Sequence, residues 1–400
     1  MELSEIRAEI DRLDEQLAEL LCRRMDCSAQ VAEYKAAHQL PVLNEEREKA
    51  VLRHVRGLGD RYREGYGDAA ALVFSTMMDA SRALQHQQLH AGAPLRARLE
   101  GAKRSLIPAA AARVVCQGVP GAFSDEAAGR LFPGASPRFV PSFADVFAAV
   151  ADGSADYGVL PVENSTAGSV NEVYDLVMKH RFSIAAAVEV PVRHCLLALP
   201  GAEPAGLTAV YSKQEALAQC AEYISARGLE ARQYSNTAAA AEMVSESGDI
   251  TIAAIASEKA AKLYNLQIIN KDIQTAKDNT TRFIAISREL VIPADANKIS
   301  LIFALPHVTG SLYRALSRFA MAGLNLTKLE SRPLRGSSFE YNFYLDFEGS
   351  LSHPGTVGLL CALSEELPAF SFLGNYREQD RPETADNEKG KFAEKGARKS

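Results

Sequence analysis

Leu3, Ile6, Ile10, Leu13, Leu17 and Leu20 step by three and four residues without a break. That is the a/d seam of a helix built to pack along another helix. The seam continues through Arg24, Cys27, Val31 and Tyr34 before Pro41 stops it. A helix of about 35 residues is about 50 Å long at ~1.5 Å rise per residue. A small domain cannot bury so long a seam by itself, so a partner helix from a second copy of the chain is expected. Asn44 then stands as the N-cap of a second helix running through Leu52, Gly57, Gly59, Gly65 and Gly67 break the pattern, and a third helix covers about Ala69 to Gln88.

Beyond the helices the texture changes twice. Residues 91–112 are rich in Ala, Pro, Gly and Arg without clear periodicity and read as a linker, with a short helix possible from Pro94. From Val114, short apolar runs (Val114–Cys116, Tyr157–Leu160, Cys195–Leu199, Thr251–Ile255, Phe283–Ile286) alternate with Ala-rich helical stretches, an α/β pattern. From Lys298 the order is strand Ile299–Leu305, helix Gly310–Met321, strands Leu324–Leu329 and Phe339–Phe347, helix Val357–Glu366 and a strand near Phe370–Phe372. This βαββαβ order is the ferredoxin-like α+β arrangement. The expected organisation is a helical domain over 1–90, a linker over 91–112, an α/β domain over 113–289, a small α+β domain over 298–377 and a disordered polar tail over 378–400.

Composition excludes several classes. A net charge of −6 offers no basic stripe for nucleic acid. The six cysteines have no C-x-x-C spacing, against a zinc site or a disulfide framework. The N-terminus lacks the basic and apolar segments of a signal peptide, and no run approaches the ~18 apolar residues of a membrane span. The expectation is a reduced, cytoplasmic enzyme without metal or cofactor.

In the first helix, Arg24 occupies an a position, with Arg7 and Lys35 at e positions one residue past the seam. Arg7 and Lys35 can be read as solvated flank charges and Arg24 as a register device. A buried Arg without an anion is costly, however, and bundle cores are a usual place for ligand sites, which favours a cationic pocket for a small polyanion. Arg7-x-x-Ile10-x-x-Leu13-Asp14, Leu21-Cys22-Arg23-Arg24, Lys35, Asn44-x-x-Arg47-Glu48 and Ser81-x-x-x-Gln85 resemble, in order and spacing, the all-helical chorismate mutases. The resemblance covers residues 3–89. It implies that Arg7, Arg24 and Arg47 bind the two substrate carboxylates, Arg7 from across a dimer. Lys35 and Gln85 would then hydrogen-bond the ether oxygen and Glu48 the hydroxyl. Ser81 and Asn44 complete the set; Asn44 stands where the family often has Asp, and as an N-cap it has a structural role of its own.

In the α/β region three loops place hydroxyls and free backbone N–H groups at helix N-termini: Gly118–Ser124, Pro161–Ser169 with Glu163, Asn164, Ser165 and Thr166, and Ser235–Thr237. Each is an anion-binding arrangement and each is also ordinary capping; three in one domain favour a bound acid. The Gly118–Ser124 loop, Glu163-Asn164-Ser165, Tyr211-Ser212 with Gln219, and above all Thr281-Arg282-Phe283 resemble prephenate dehydratases, across residues 113–288. The resemblance implies two α/β lobes around a cleft, like the periplasmic binding proteins that close on small acids. The chain would leave the first lobe near Pro191 and return near Asn270. Thr281 would act on the leaving hydroxyl, Asn164, Ser212 and Gln219 would position the substrate, and Ser124, Ser165, Thr166, Thr237, Arg282 and Phe283 would line the site. Glu163 reads equally as an acid and as a structural partner of Arg282; His194 reads as a core histidine.

The βαββαβ unit resembles the ACT domains that follow dehydratases. Glu330-Ser331-Arg332-Pro333 matches the second effector motif of that family without change. The first motif reads Gly310-Ser311-Leu312-Tyr313, keeping Gly310 and Leu312 while Ser311 and Tyr313 depart. The resemblance implies a phenylalanine sensor in a homodimer or higher homo-oligomer. Together the resemblances imply conversion of chorismate to prephenate and of prephenate to phenylpyruvate, feedback-inhibited by L-phenylalanine. The alternatives are an arogenate dehydratase, acting on the aminated substrate, and a non-catalytic amino acid sensor.

Overall fold

The computed structural model describes residues 2–89, 91–333 and 341–379. The expected tail from residue 380 onward and the expected strand start at Phe339 lie outside the described residues. The chain divides into two compact units: Met1–Ala102 with Asn297–Asn375, and Lys103–Ala296 with Tyr376–Ser400.

In the first unit, α1 (Leu3–His38) is the long helix that the seam predicts, and it ends at Gln39 in the left-handed conformation. Leu3, Ile10, Leu13, Leu17 and Leu20 stay more than 40% exposed on the single chain, so the seam is unpartnered within it. The second helix, α2 (Glu45–Tyr62), is longer than expected and runs through Gly57 and Gly59. At Gly59 the reason is close packing; a Cβ on Gly57 would meet nothing within 4 Å. A Cβ on Gly59 would lie 2.8 Å from the backbone of Gly67 and Tyr66, at the start of α3 (Tyr66–Gln88). Here glycine lets two helices approach instead of ending one. A short helix, α4 (Ala93–Glu100), follows with Pro94 in its first turn.

The same unit holds the small α+β domain. The central region comprises β1 (Val114–Gln117), α5 (Phe123–Leu131), β2 (Arg138–Val140), α6 (Phe143–Ala151), β3 (Tyr157–Asn164), β4 (Gly168–Ser169), α7 (Asn171–His180) and β5 (Ser183–Pro191). It continues with β6 (Cys195–Ala198), β7 (Ala209–Ser212), α8 (Gln214–Gln219), α9 (Ala221–Ala226), β8 (Glu230–Gln233), α10 (Thr237–Ser247), β9 (Ile252–Ala256), α11 (Glu258–Leu263), β10 (Gln267–Asn270) and β11 (Thr280–Ser287). The small domain then runs β12 (Lys298–Leu305), α12 (Ser311–Met321), β13 (Leu326–Pro333), β14 (Tyr341–Glu348), α13 (Pro354–Glu366) and β15 (Ser371–Gln379). Its strand order β15-β12-β14-β13 is that of the ferredoxin-like fold. Ile299, Leu301, Phe303, Phe319, Leu345, Phe347, Leu360 and Phe372 are buried in its core.

The second unit has two lobes. The first is a sheet ordered β5-β11-β3-β1-β2, with Arg377–Gln379 of β15 alongside β5. Its core includes Val114, Leu131, Tyr157, Val188 and Phe283. The second lobe is a sheet ordered β10-β6-β9-β7-β8 with apolar clusters around Val210 and Ile255 and around Leu197 and Val244. The chain leaves the first sheet at Pro191, as expected, but re-enters it only at Thr280, later than the expected return near Asn270, because β10, which ends at Asn270, still pairs with β6 in the second sheet. The two crossing segments bond to each other, Val192 N–H to the Asn279 carbonyl (2.8 Å) and Ile273 N–H to the His194 carbonyl (3.0 Å). These paired crossings join the two sheets.

Candidate functional sites

The helical pocket forms because three helices turn polar faces toward one cavity of about 330 Å³. It is lined by Arg24, Ser28 and Lys35 of α1, Asn44 at the start of α2 with Arg47 and Glu48, and Ser81, Arg82 and Gln85 of α3. Seven sequence-predicted residues thus converge: Arg24, Lys35, Asn44, Arg47, Glu48, Ser81 and Gln85. Arg7 does not line it; it lies on the exposed N-terminal half of α1. Arg24 Nη1 donates to Ser81 Oγ (2.7 Å) and Lys35 Nζ to Gln85 Oε1 (3.1 Å), while Gln85 Nε2 donates to Ser28 Oγ (2.9 Å). Lys35 also bonds the Val42 carbonyl. Burial pulls the Lys35 ammonium below its usual pKa, Glu48 opposes that shift, and Arg82 adds to it. Asn44 caps α2, its Oδ1 accepting from Arg47 N–H (3.0 Å). The cavity therefore offers four cations and neutral donors around one acid, a setting for a small dianion.

One lining residue escaped sequence reasoning. Arg82 is buried, and its guanidinium bonds Glu48. The available signal was the spacing Asp79, Arg82, His86, which puts three ionisable groups on one face of α3.

The second site lies where the lobes of the other unit meet. β3 and β11 are antiparallel neighbours with Asn164 opposite Thr281, so strand register alone brings the two together. Asn164 Nδ2 donates to Thr281 Oγ1 (2.9 Å) and to Asn279 Oδ1 (2.7 Å). Its Oδ1 accepts from the N–H groups of Thr166 (3.0 Å) and Ala167 (2.8 Å). Asn279 Nδ2 donates to Gln219 Oε1 (3.1 Å), which His194 Nε2 also meets at 2.9 Å. Burial lowers the His194 pKa below the imidazole range, against the smaller opposing pull of Gln219. The ring is thus neutral at pH 7, and with Gln219 Oε1 as acceptor its proton sits on Nε2. A chain of fixed amides runs from His194 through Gln219, Asn279 and Asn164 to Thr281. Asn279, missed in the sequence, is 3% exposed and sits two residues before Thr281 on the returning segment.

The other expected residues fall into three settings. Ser165 (exposed) bonds the Asp278 carbonyl and Thr280 N–H beside the returning segment, next to the exposed Thr166; Glu163 is half-buried on β3. Ser124 Oγ donates to the Gln117 carbonyl (2.8 Å) at the start of α5, and Thr237 opens α10 beside its Asn236 cap. Ser212, Arg282 and Phe283 take structural positions. The Ser212 hydroxyl, fully buried, donates to the Ile255 carbonyl (2.7 Å) inside the second sheet. Arg282 bonds Glu378 (2.5 Å) and the Tyr376 hydroxyl (2.8 Å), and Phe283 packs in the first-lobe core.

In the small domain, Gly310 (φ 80°) starts α12, a left-handed turn that suits glycine. Together with Thr309, Tyr313 and Arg314 it lines a cleft of about 560 Å³ against Arg53 and Arg56 of α2. Leu312 lies in the first turn of α12. Glu330, Ser331, Arg332 and Pro333 end β13, the edge strand, with Glu330 opposite Tyr344 and Arg332 opposite Asn342. Among the described residues no helix is long and apolar enough to cross a membrane.

Residues 114–290 match the family model of prephenate dehydratase, and residues 6–86 that of chorismate mutase type II. A protein of Arabidopsis thaliana named arogenate dehydratase/prephenate dehydratase 2, chloroplastic, is 40% identical over 275 residues, covering 66% of this chain and 72% of that protein. The chain spans about two thirds of the length of the plant proteins it matches. Among solved structures, one described as GqqA, a novel type of quorum quenching acylase, is 36% identical with a TM-score of 0.61, covering 66% of this chain and 98% of that one. The prephenate dehydratase of Arthrobacter aurescens in complex with L-Phe is 28% identical with a TM-score of 0.61, covering 71% of this chain and 97% of that one. An isomerase-type and a lyase-type domain of aromatic amino acid synthesis therefore share one polypeptide. The chain belongs to the prephenate dehydratase family and carries a type II chorismate mutase domain ahead of its dehydratase domain.

Proposed function

We propose that this chain converts chorismate to prephenate in the helical pocket and prephenate to phenylpyruvate in the cleft, under inhibition by L-phenylalanine. The observation that carries the reading is the convergence of Arg24, Lys35, Arg47, Glu48, Ser81 and Gln85 on one cavity. The first step breaks the ether C–O bond and makes a C–C bond within one molecule, so it needs no nucleophile or cofactor. Confinement of the reactive conformer by the arginines, and donors at the ether oxygen from Lys35 and Gln85, supply what such a step requires. The exposed seam of α1 supports a homodimer in which Arg7 reaches the partner's pocket.

In the second step the ring carboxylate leaves as carbon dioxide, its bonding electrons enter the ring, and the hydroxyl departs as water after receiving a proton. Thr281 Oγ1 accepts from Asn164, which leaves its own proton directed to another acceptor, the leaving hydroxyl. The complex of the Arthrobacter relative with L-Phe, with the Gly310 and Glu330–Pro333 motifs, supports the effector. The name of the Arabidopsis relative supports a second reading, dehydration of arogenate. Purified protein supplied with chorismate should form phenylpyruvate, and less of it when L-phenylalanine is added. Prephenate that accumulates unconsumed, with arogenate turned over instead, would favour the second reading. Chorismate consumption no faster than background would refute the first step.

A further inference from the structure

The polar face of α3 does not end at the pocket. Arg82, which bonds Glu48, also bonds Asp79 one turn back and lies 3.3 Å from Glu366 Oε2 on α13. Glu366 accepts from His86 Nε2 (2.5 Å) and from Arg318 of α12, and Arg318 lies 3.8 Å from Asp79. Asp79, Arg82 and His86 are each under 8% exposed. Although burial alone would raise it, the Glu366 carboxyl is held down at about 2 by His86, Arg318 and Arg82. Ionised groups removed from water in this way are a poor route to stability, since well-packed apolar residues serve as well or better. What the cluster does supply is a fixed arrangement ending on Glu48.

That ending matters because Glu48 is the acid of a cationic cavity. Left unheld, its carboxylate would be drawn to Lys35, whose charge it already influences, and would compete with the substrate carboxylates. Arg82, at the margin of the cavity lining where α3 faces α13, prevents this by occupying Glu48. Arg82 is in turn held by Glu366, and Glu366 by Arg318. We propose that Arg82, Glu366 and Arg318 are positioning residues for the mutase step, so that two side chains of the small α+β domain set the orientation of Glu48. The proposal rests on reading the helical pocket as the chorismate site.

A double-mutant cycle on the full-length chain tests it. The kcat/KM for chorismate is measured for wild type, Glu48→Gln, Glu366→Gln and the double variant, with prephenate dehydration as the control. The expected result is a loss of about tenfold for Glu366→Gln, the scale of removing a group that orients a ligand-binding side chain. Prephenate dehydration should be unchanged, and no further loss should appear when Glu366→Gln is added to Glu48→Gln. Arg318→Gln, which leaves Glu366 in place, should show a smaller loss in the same direction and keeps the test available if Glu366→Gln misfolds. Additive losses in the cycle, wild-type kcat/KM in both variants, or an equal fall in both activities would overturn the proposal. A wild-type protein that does not turn over chorismate would instead overturn the pocket assignment on which it stands.

Discussion

Replacing Thr281 by alanine removes a hydroxyl that is 9% exposed and bonded to Asn164. The structural cost is bounded, because Asn164 Nδ2 keeps the Asn279 side chain and the Thr280 carbonyl as partners. One neutral hydrogen bond contributes about 0.5–1.5 kcal/mol and the lost methyl about 1 kcal/mol more. Against a domain stability of about 5–15 kcal/mol the variant should fold. Its dehydratase rate should fall much further. A positioned proton donor contributes roughly 10²–10⁴-fold, or about 3–5 kcal/mol of barrier. Thr281→Ser keeps the hydroxyl and the bond from Asn164 and should stay within about tenfold of wild type. The assay is phenylpyruvate formation from prephenate, with chorismate consumption measured in parallel and expected to be unchanged. An alanine variant within about tenfold of wild type, or a serine variant as slow as alanine, would refute the donor role.

Three further outcomes are expected. If Arg7 acts across a dimer, Arg7→Ala and Lys35→Ala proteins, each inactive as mutase, should regain about a quarter of wild-type activity when unfolded and refolded together, because a mixed dimer holds one intact site; no recovery would place Arg7 in its own chain's pocket or outside any. His194 is neutral in the fold but takes up a proton near pH ~6.5 when unfolded, so its contribution to stability is full above that value and is lost as pH falls toward the lower folded pKa. His194→Gln should therefore flatten the fall of the urea midpoint between about pH 7.5 and 5.5, and an unchanged slope would contradict this. Burial pushes the thiols of Cys116 and Cys220 up to about 12 and that of Cys195 to about 11, whereas Cys22 and Cys27 are exposed. Alkylation at about pH 8 followed by mass spectrometry should label Cys22, which lies off the α1 seam, before the buried thiols, and equal labelling of Cys116 would show that the first-lobe core opens readily.

Local pattern was enough for the elements whose residues repeat with a clear period. The α1 seam, the strand runs around Val159 and Ile284, and the βαββαβ order from Lys298 to Gln379 all follow from periodicity and turn residues. The pocket residues of α1, α2 and α3 were legible because their order and spacing resemble a family. Pattern misled at α2, where Gly57 and Gly59 look like breakers; Gly59 instead seats a neighbour whose backbone would lie 2.8 Å from a Cβ there. Ser212 and Phe283, singled out by the resemblance to dehydratases, have side chains that pack inside a sheet and a core.

The sequence by itself determined which segments form helices and strands and which residue types are available for each site, because those depend on neighbours three or four positions away. Tertiary structure decided the partners. Strand register placed Asn164 on Thr281, the returning crossing segment brought Asn279 to both Asn164 and Gln219, and α13 brought Glu366 to Arg82 across 284 positions of chain. A buried charge or amide takes its role from whichever group satisfies it in the fold, and no local periodicity encodes so distant a neighbour.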